Sequence, residues 1–505
     1  MPRCGIQEKV VNPRTFLQGW ARLARAVGYS IAGSLLLATG AWAQVTFTVN
    51  NTDDDVDANV LDGKCEIPAP APPGTCTLRA AVMQANRMPN GGAIIQLPAG
   101  TYKLSIPASI ADGEENGDLN LTEPSGYAPG PTIVTGAGAA TTIIDGNGID
   151  RVLHIDGSAR SVTISGVSIV NGLRGSSGGG IYNESSLILR DCIVSHNTVS
   201  YGNGGGIFTT GYLDASGVTL DDNTAQSYGG GIYNLDHLEL SKSFVRANKA
   251  SSGAGIYNAG IYFPYSRVDS TEITGNMATG FGGGIANVYS GTALNLTRST
   301  VSNNTTGSYG GGVENEGVLY ASNSTISGNS ARTDGGGVYN KVSGNGNIYN
   351  STIAYNQADS DADSVGAGAG IYNYPGGTFN VRNSVVAGNY LAGQPDYDDC
   401  DGALGIYGKN RLGEASACTY PGGNGTVSVL QSLDELGVLR DNGGPTRTIA
   451  LIPPSDMIDV ASACLDQNGN GLATDQRGRS RIVGASCDIG ALEFDAGDIF
   501  FNGFE

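Results

Sequence analysis

Tryptophan is nearly absent from this chain of 505 residues, with two copies, Trp20 and Trp42, both near the amino terminus, and histidine occurs three times. Charge is scarce as well: charged residues make up 15% of the chain, and 28 basic side chains face 47 acidic ones. A protein that neutralises phosphates needs clustered Lys and Arg, so this balance argues against a nucleic-acid partner. Proline is limited to 19 residues and glycine follows no G-X-Y register, which excludes collagen. No C-x-x-C occurs, so zinc-ribbon and thiol-redox chemistry have no motif to rest on. Beyond residue 43 no apolar run is long enough to cross a membrane as a helix, and periodicity of 3.6 residues is missing. Intrinsic disorder is excluded by an apolar content of 40% with Val, Ile and Tyr at regular places.

Glycine is what the chain has in excess, 78 residues against a usual share of about 7%. Residues 1–43 read as a secretory signal: Arg3, Arg14, Arg22 and Arg25 precede an apolar run from Val27 to Ala43, and Ala41-Trp42-Ala43 is an A-x-A cleavage site. Its removal leaves 23 basic and 46 acidic residues, a net charge of -23, and no tryptophan. The cysteines agree with export: Cys65 with Cys76, Cys400 with Cys418, and Cys464 with Cys487 are locally spaced, although spacing alone does not decide pairing.

A glycine phrase recurs along the chain. Gly178–Asn183 and Gly229–Asn234 read GGGIYN, Gly253–Asn258 and Gly368–Asn373 read GAGIYN, and variants start at Gly204, Gly282, Gly310 and Gly335. The Ile or Val after the glycines recurs at spacings of 26, 25, 24, 29, 28, 25 and 33. A second phrase ends at Asn197, Asn223, Asn248, Asn276, Asn304, Asn329, Asn356 and Asn389, with an aliphatic residue always three before the asparagine. Five before it stands a small residue, usually Ser, and Cys192 in one repeat, which marks that thiol as a buried structural one. The residue between these two positions varies, as an outward position would, so the segment is a strand of period two. Short strands repeated near every 26 residues bury a face only by stacking. The expected fold is all-β, a right-handed parallel β-helix (a pectin-lyase-like solenoid) of about a dozen coils. The terminal asparagines are expected to share equivalent turns, bond to one another up the stack and supply the left-handed backbone of the corner.

Residues 47–86 contain Cys76, Thr77, Leu78, Arg79, Ala80 and Ala81, which resemble the C-S-L-R-E-A motif that names an N-terminal module of bacterial surface proteins, with Ala80 where the motif has Glu. The sequence AIIQLPAGTYKLSI follows at 93–106, as that family leads one to expect. The glycine and asparagine phrases are similar to repeats of chlamydial polymorphic outer membrane proteins. Residues 441–460 and 475–494 resemble the choice-of-anchor Q domain. The resemblance implies a signal peptide at 1–43, an N-terminal cap at 44–90, β-helix repeats at 91–390, a choice-of-anchor Q-like region at 391–494 and a tail at 495–505. Within that tail, Asp498–Glu505 look like a sorting motif. It further implies an exported protein, secreted or attached to the outer membrane surface of a Gram-negative bacterium. Its expected partners are the cell envelope or a host or matrix glycan or protein.

Parallel β-helices also include pectate lyases and polygalacturonases. Glycosidases need two carboxylates about 5–10 Å apart, which one ladder position in adjacent coils could supply. The repeat register finds no such pair: Glu272 has Phe244 and Thr300 as neighbours, and Glu314 has Ala286 and Tyr339. His196 stacks on Asp222 and Asp221 on Arg246, read as exposed charges paired across coils rather than a proton relay. His154 and His237 have no evident companions, so no histidine is expected to ligate metal, and no catalytic residue is assigned. Calcium is the one cofactor considered. Asp55, Asp57, Asn59 and Asp62 crowd a loop with Asp53 and Asp54, and Asp466, Asn468 and Asn470 copy the start of an EF-hand loop whose twelfth position is Arg477 instead of Glu. Finally, Tyr182, Phe208, Tyr233, Tyr257, Tyr339 and Tyr372 recur after the repeated Ile or Val, forming either a sugar or protein platform or a self-stacking aromatic ladder.

Overall fold

A computed structural model describes residues 44–88, 92–109, 113–122, 130–159, 161–262, 264–414, 416–430, 432–461 and 463–497. The signal sequence and Asp498–Glu505 lie outside the described residues. Each repeat folds as one coil. In the coil that starts at Ile181 the chain forms strands Ile181–Asn183, Leu187–Arg190, Ile193–Ser195 and Thr198–Val199 before the next glycine phrase. Equivalent strands of successive coils pair in parallel, giving sheets of 24, 13 and 9 strands; the largest combines two faces, which meet at strand Cys400–Tyr407.

Alternation places one row of aliphatic side chains from each face inside. Ile181, Leu187, Leu189 and Val194 of one coil are fully buried, and Ile207, Leu213, Ala215 and Leu220 lie above them. Fully burying one such side chain contributes about 1.5–3 kcal/mol, and the same pattern repeats coil after coil. The small row behaves as expected too: Cys192, Ser243, Thr271, Ser299, Ser324, Ser351 and Ser384 are buried. The Ser and Thr hydroxyls accept from the preceding coil's backbone, as Ser324 does from the Ser299 amide at 3.2 Å, whereas the Cys192 thiol donates to the Ile164 carbonyl at 3.5 Å.

The asparagines form a continuous internal ladder. Each side-chain amide, from Asn197 through Asn223, Asn248, Asn276, Asn304, Asn329 and Asn356 to Asn389, donates to the next at 2.8–3.0 Å, and Asn389 ends the row on Asp399 at 2.7 Å. The left-handed residue is not the asparagine but the one before it, for example His196, Asp222, Ala247 and Tyr355 with φ of 57°, 48°, 55° and 61°. The turn strain therefore falls on whichever residue precedes the ladder, leaving the asparagine in an extended approach that aims its amide inward. A second ladder runs through Asn234, Asn258, Asn287, Asn315, Asn340 and Asn373, the last residue of each glycine phrase, at 2.7–2.9 Å. The glycines serve close approach: Gly229 has φ of 66°, and a Cβ on Gly230 would lie 2.5 Å from the Lys249 carbonyl of the next coil.

Parallel pairing extends from Val45–Thr48 to Thr426–Val429, wider than the expected 91–390 span and than the phrases from Gly178 to Asn389, because the terminal coils keep the strand pairing while losing the phrase. Helix Leu78–Ala85 covers the open N-terminal end with all eight residues buried. Thr77 is its N-cap, accepting from the Ala80 amide at 3.2 Å, and Arg79 pairs with Asp54 at 2.7 Å, both side chains buried. The Cys76–Arg79 motif is thus an end-cap device, secured by the Cys65–Cys76 disulfide; Cys400–Cys418 and Cys464–Cys487 are also bonded.

After Val429 the chain turns back along the outside of the 13-stranded face. Arg411 pairs with Asp456 at 2.8 Å, Asn350 donates to the Leu465 carbonyl at 2.9 Å, Thr325 to Gln476 at 2.6 Å, and Arg447 reaches Glu272. A separate core gathers Val385 and Ala387 from the face with Leu436, Ile449, Leu451, Met457 and Ile489 from the returning segment. This corrects the outward expectation for part of the row. Ile193, Thr219 and Phe244 are partly or fully exposed, whereas Glu272, Thr300, Thr325, Thr352 and Val385 are buried beneath the strap.

Candidate functional site

The glycine phrase puts one side chain of each coil outward at the same register. From coil to coil this column reads Asn120, His154, Tyr182, Phe208, Tyr233, Tyr257, Ala286, Glu314, Tyr339, Tyr372 and Asp401. Ring centroids from Tyr182 through Phe208 and Tyr233 to Tyr257 are 4.9, 5.2 and 5.1 Å apart, with planes within 15° of parallel. Coil spacing sets this distance, so the rings stack on each other and present edges rather than faces to solvent. Tyr233 and Tyr257 are only 9% and 6% exposed. Burial pushes the Tyr233 phenol up to about 12 and the Tyr257 phenol higher still. The self-stacking ladder describes this geometry.

The stack is interrupted at Ala286 and Glu314, where rings from the preceding loops fill in. Phe281 stacks on Tyr309 at 5.7 Å and Tyr309 on Tyr339 at 4.3 Å. Glu314 is fully buried and its Oε1 meets Lys341 Nζ at 2.7 Å, while Oε2 has no hydrogen-bond partner. Desolvation outweighs the lysine and raises this carboxyl to about 7. Lys341 also reaches Glu316 at 3.2 Å and lies 4.9 Å above the Phe281 ring.

Beside this interruption the coils carry inserted loops, the origin of the longer spacings of 29 and 28 residues. Ala259, Gly260, Ile261, Pro264 and residues Tyr289–Thr292 line a groove of about 570 Å³. Ile261, Tyr262, Tyr265 and Tyr289 are 57%, 66%, 42% and 49% exposed, an apolar patch on an acidic protein. Tyr289, which lines the groove, has φ of 69°, a costly conformation for a bulky residue.

The neighbouring face overturns the expectation that no two carboxylates share a ladder position. Asp214 and Glu239 stand opposite each other in adjacent coils, followed by Arg267. Asp214 and Glu239 each lie seven residues after the repeated Ile, at Ile207 and Ile232, so the pair sits at a fixed offset from the glycine phrase without belonging to it. Asp214 is held by Arg190 at 2.9 Å and Glu239 by His237 at 3.0 Å. His237 stacks between Tyr212 and Tyr265 at 5.1 and 6.0 Å. His154 also has companions, Asn120 at 2.9 Å and Glu184 at 3.2 Å, correcting the view that both strand histidines stand alone.

His196 Nε2 lies 3.8 Å from Asp222, with both side chains exposed, and Asp222 is closer to Lys249, at 3.0 Å; Arg246 pairs with Asp221 at 3.1 Å. These are surface pairs across coils. In the first acidic loop, Gln84 Nε2 occupies the centre, donating to Asp57 at 2.9 Å, the Asn59 carbonyl at 3.0 Å and Asp62 at 3.4 Å, while Asp55 is exposed. In the second, Asp466 Oδ1 accepts the Asn468 and Asn470 amides, each at 2.8 Å, as an Asx turn does. Cys192 is buried, and burial pushes its thiol up, away from the reactive thiolate.

Residues 217–235 and 323–341 match the Chlamydia polymorphic membrane protein repeat, each stretch running from a ladder strand through the glycine phrase. No curated protein matches the chain. Among solved structures the chain is similar to pectate lyase Pel9A at 14% identity and a TM-score of 0.40, covering 90% of this chain and 98% of that one. It is also similar to the A-module of the mannuronan C-5 epimerase AlgE6 of Azotobacter vinelandii at 17% identity and a TM-score of 0.30, covering 67% and 90%. The chain is a parallel β-helix with repeats similar to those of the Chlamydia polymorphic membrane proteins.

Proposed function

We propose that this is an exported, non-catalytic, right-handed β-helix of the bacterial cell surface, which engages a glycan or protein through the groove at its aromatic face. Residues 391–494 would serve attachment. The exposed patch of Ile261, Tyr262, Tyr265 and Tyr289 carries the reading. The stacked ladder needs no partner, whereas Ile261, Tyr262 and Tyr289 sit on inserted loops, with Tyr265 opening the strand beside them, and all four remain exposed. The three disulfides suit an extracytoplasmic protein. Binding of the purified protein to cell-envelope fractions and glycan arrays tests it. The double variant Tyr262→Ser, Tyr289→Ser is expected to lose at least tenfold in binding with an unchanged melting temperature. Undiminished binding by a folded double variant would sink the groove as the site.

One observation favours a second reading, polysaccharide cleavage: the Asp214 and Glu239 row, flanked by Arg190, Arg267 and His237. Paired strands stand about 4.8 Å apart, close to the roughly 5–5.5 Å between the carboxyl groups of a retaining glycosidase. A reducing-end or unsaturated-product assay over acidic glycans, with Glu239→Gln as control, decides it.

A further inference from the structure

We propose that His154, Asp156 and Glu184 form a binding site for a divalent transition-metal ion such as Zn²⁺. Strand Leu153–Ile155 pairs with Leu119–Leu121 on one side and Ile181–Asn183 on the other, so His154 stands between Asn120 and Tyr182 at the first turns of the outward column. Asp156 and Glu184 each lie one residue past the end of these strands, two after the column positions His154 and Tyr182. One ligating atom from each of the three side chains lies within 4.8 Å of the others.

The protonation of the imidazole is dictated from outside the cluster. Asn120 Nδ2 donates to Asp118 Oδ1 at 3.1 Å and to the Gly113 carbonyl at 3.3 Å, both acceptors. Its carboxamide oxygen therefore faces His154 Nδ1, 2.9 Å away, and that ring nitrogen must be the donor. Nε2 then carries the lone pair and points at Glu184 Oε2, 3.2 Å away. A lone pair and a carboxylate at this distance repel unless a proton or a cation stands between them. An imidazole oriented through a hydrogen bond at its far nitrogen is the arrangement in which histidine binds metal. The Tyr182 ring, edge-on to the imidazole at 5.2 Å and 85°, limits its rotation. Ser158 steadies Asp156, its backbone amide and hydroxyl donating to Oδ1 at 2.8 and 2.6 Å.

One neutral imidazole and two carboxylates balance a doubly charged ion. A nitrogen ligand with two oxygens favours zinc or a neighbouring transition metal over calcium, which prefers oxygen alone. The His154 and Glu184 side chains are 20% and 35% exposed, so three protein ligands leave an open position toward solvent. The ion would tie two successive coils together at the end of the column where the aromatic stack begins.

Titration calorimetry of the chelator-treated full chain with Zn²⁺, with Co²⁺ absorption as the second probe, tests the site. The expected result is one equivalent of Zn²⁺ whose affinity falls at least tenfold in both His154→Gln and Glu184→Gln. Visible Co²⁺ bands present in the parent should weaken in both. Glu184→Gln lies on the exposed rim and leaves the coil core untouched, so it decides alone if His154→Gln does not fold by circular dichroism. No stoichiometric binding to the folded parent, or binding that the folded variants retain undiminished, overturns the site and leaves the contact between His154 and Glu184 as a side-chain pair across coils.

Discussion

Two outward faces of the same solenoid are kept dry in different ways. The column after each glycine phrase covers itself, ring on ring, with partners supplied by the next coil. The 13-stranded face is covered from Glu272 onward by a segment that contacts it across sequence separations of 45 to 177 residues: Gln476 donates to the Thr300 hydroxyl at 2.9 Å and accepts from Thr325 at 2.6 Å. The first solution is repetitive and its energy is spread evenly along the stack. The second is a single docking event with its own core, so it should fail as a unit.

Met457→Ala is the strongest way to break the comparison. Met457 is fully buried in the strap core, and truncation there is expected to cost about 2–5 kcal/mol. Hydrogen exchange should then accelerate in the strands holding Thr300, Thr325, Thr352 and Val385, while Ile207–Thr209 and Ile232–Asn234 keep their protection. Uniform acceleration would show the two faces to be one cooperative unit.

pH distinguishes the faces next. Glu314 interrupts the aromatic column with its carboxyl raised to about 7 from the usual 4.5. A carboxyl raised in the folded state favours the folded protein when protonated, so its contribution is complete below about pH 4.5 and lost as pH rises through about 7. Denaturation midpoints should therefore fall across that window more steeply in the parent than in Glu314→Gln, by up to about 3 kcal/mol. Asp399 and Glu493 are also raised to about 7 and remain in both proteins, so parallel pH profiles would show that Glu314 does not contribute.

Tyr233→Leu probes the stack itself. The substitution keeps apolar bulk and removes three ring contacts, a distant one to Tyr228 at 6.5 Å and two within the column, at 5.2 and 5.1 Å, each of these two worth about 0.5–1.5 kcal/mol beyond area. A loss of about 1–3 kcal/mol in urea denaturation is expected, without change in strap exchange.

How much of this was legible follows the same division. The asparagine ladder, the inward aliphatic and serine rows, and the stacking column all repeat at fixed offsets from the phrase, so counting residues recovers them. The strap does not repeat: nothing local in Thr300 or Thr325 distinguishes a covered threonine from an exposed one. The carboxylate pair Asp214 and Glu239 lies seven residues after Ile207 and Ile232, so the same counting reaches it, although neither phrase contains it. His154 and Asp156 lie before the first glycine phrase, and Glu184 contacts His154 diagonally between coils. The left-handed turn residue was displaced by one position because Asn tolerates that conformation without being required to adopt it, and here its amide serves the ladder instead.

The smallest effect is expected where the 13-stranded face runs beyond the strap. There Asp221 and Arg246 at the strand ends, and His196 and Asp222 in the turns that follow, pair across coils with no strap above them, and the His196 and Asp222 side chains are 60% and 43% exposed. Solvent screens such pairs, so Asp222→Asn should change unfolding free energy by no more than about 0.5 kcal/mol. Its φ of 48° suits Asn as well as Asp, which removes backbone strain as a confounding cause. A loss above about 1 kcal/mol would mean that the uncovered coils rely on cross-coil charge as the covered ones rely on the strap, and the distinction between the two halves of the face would disappear.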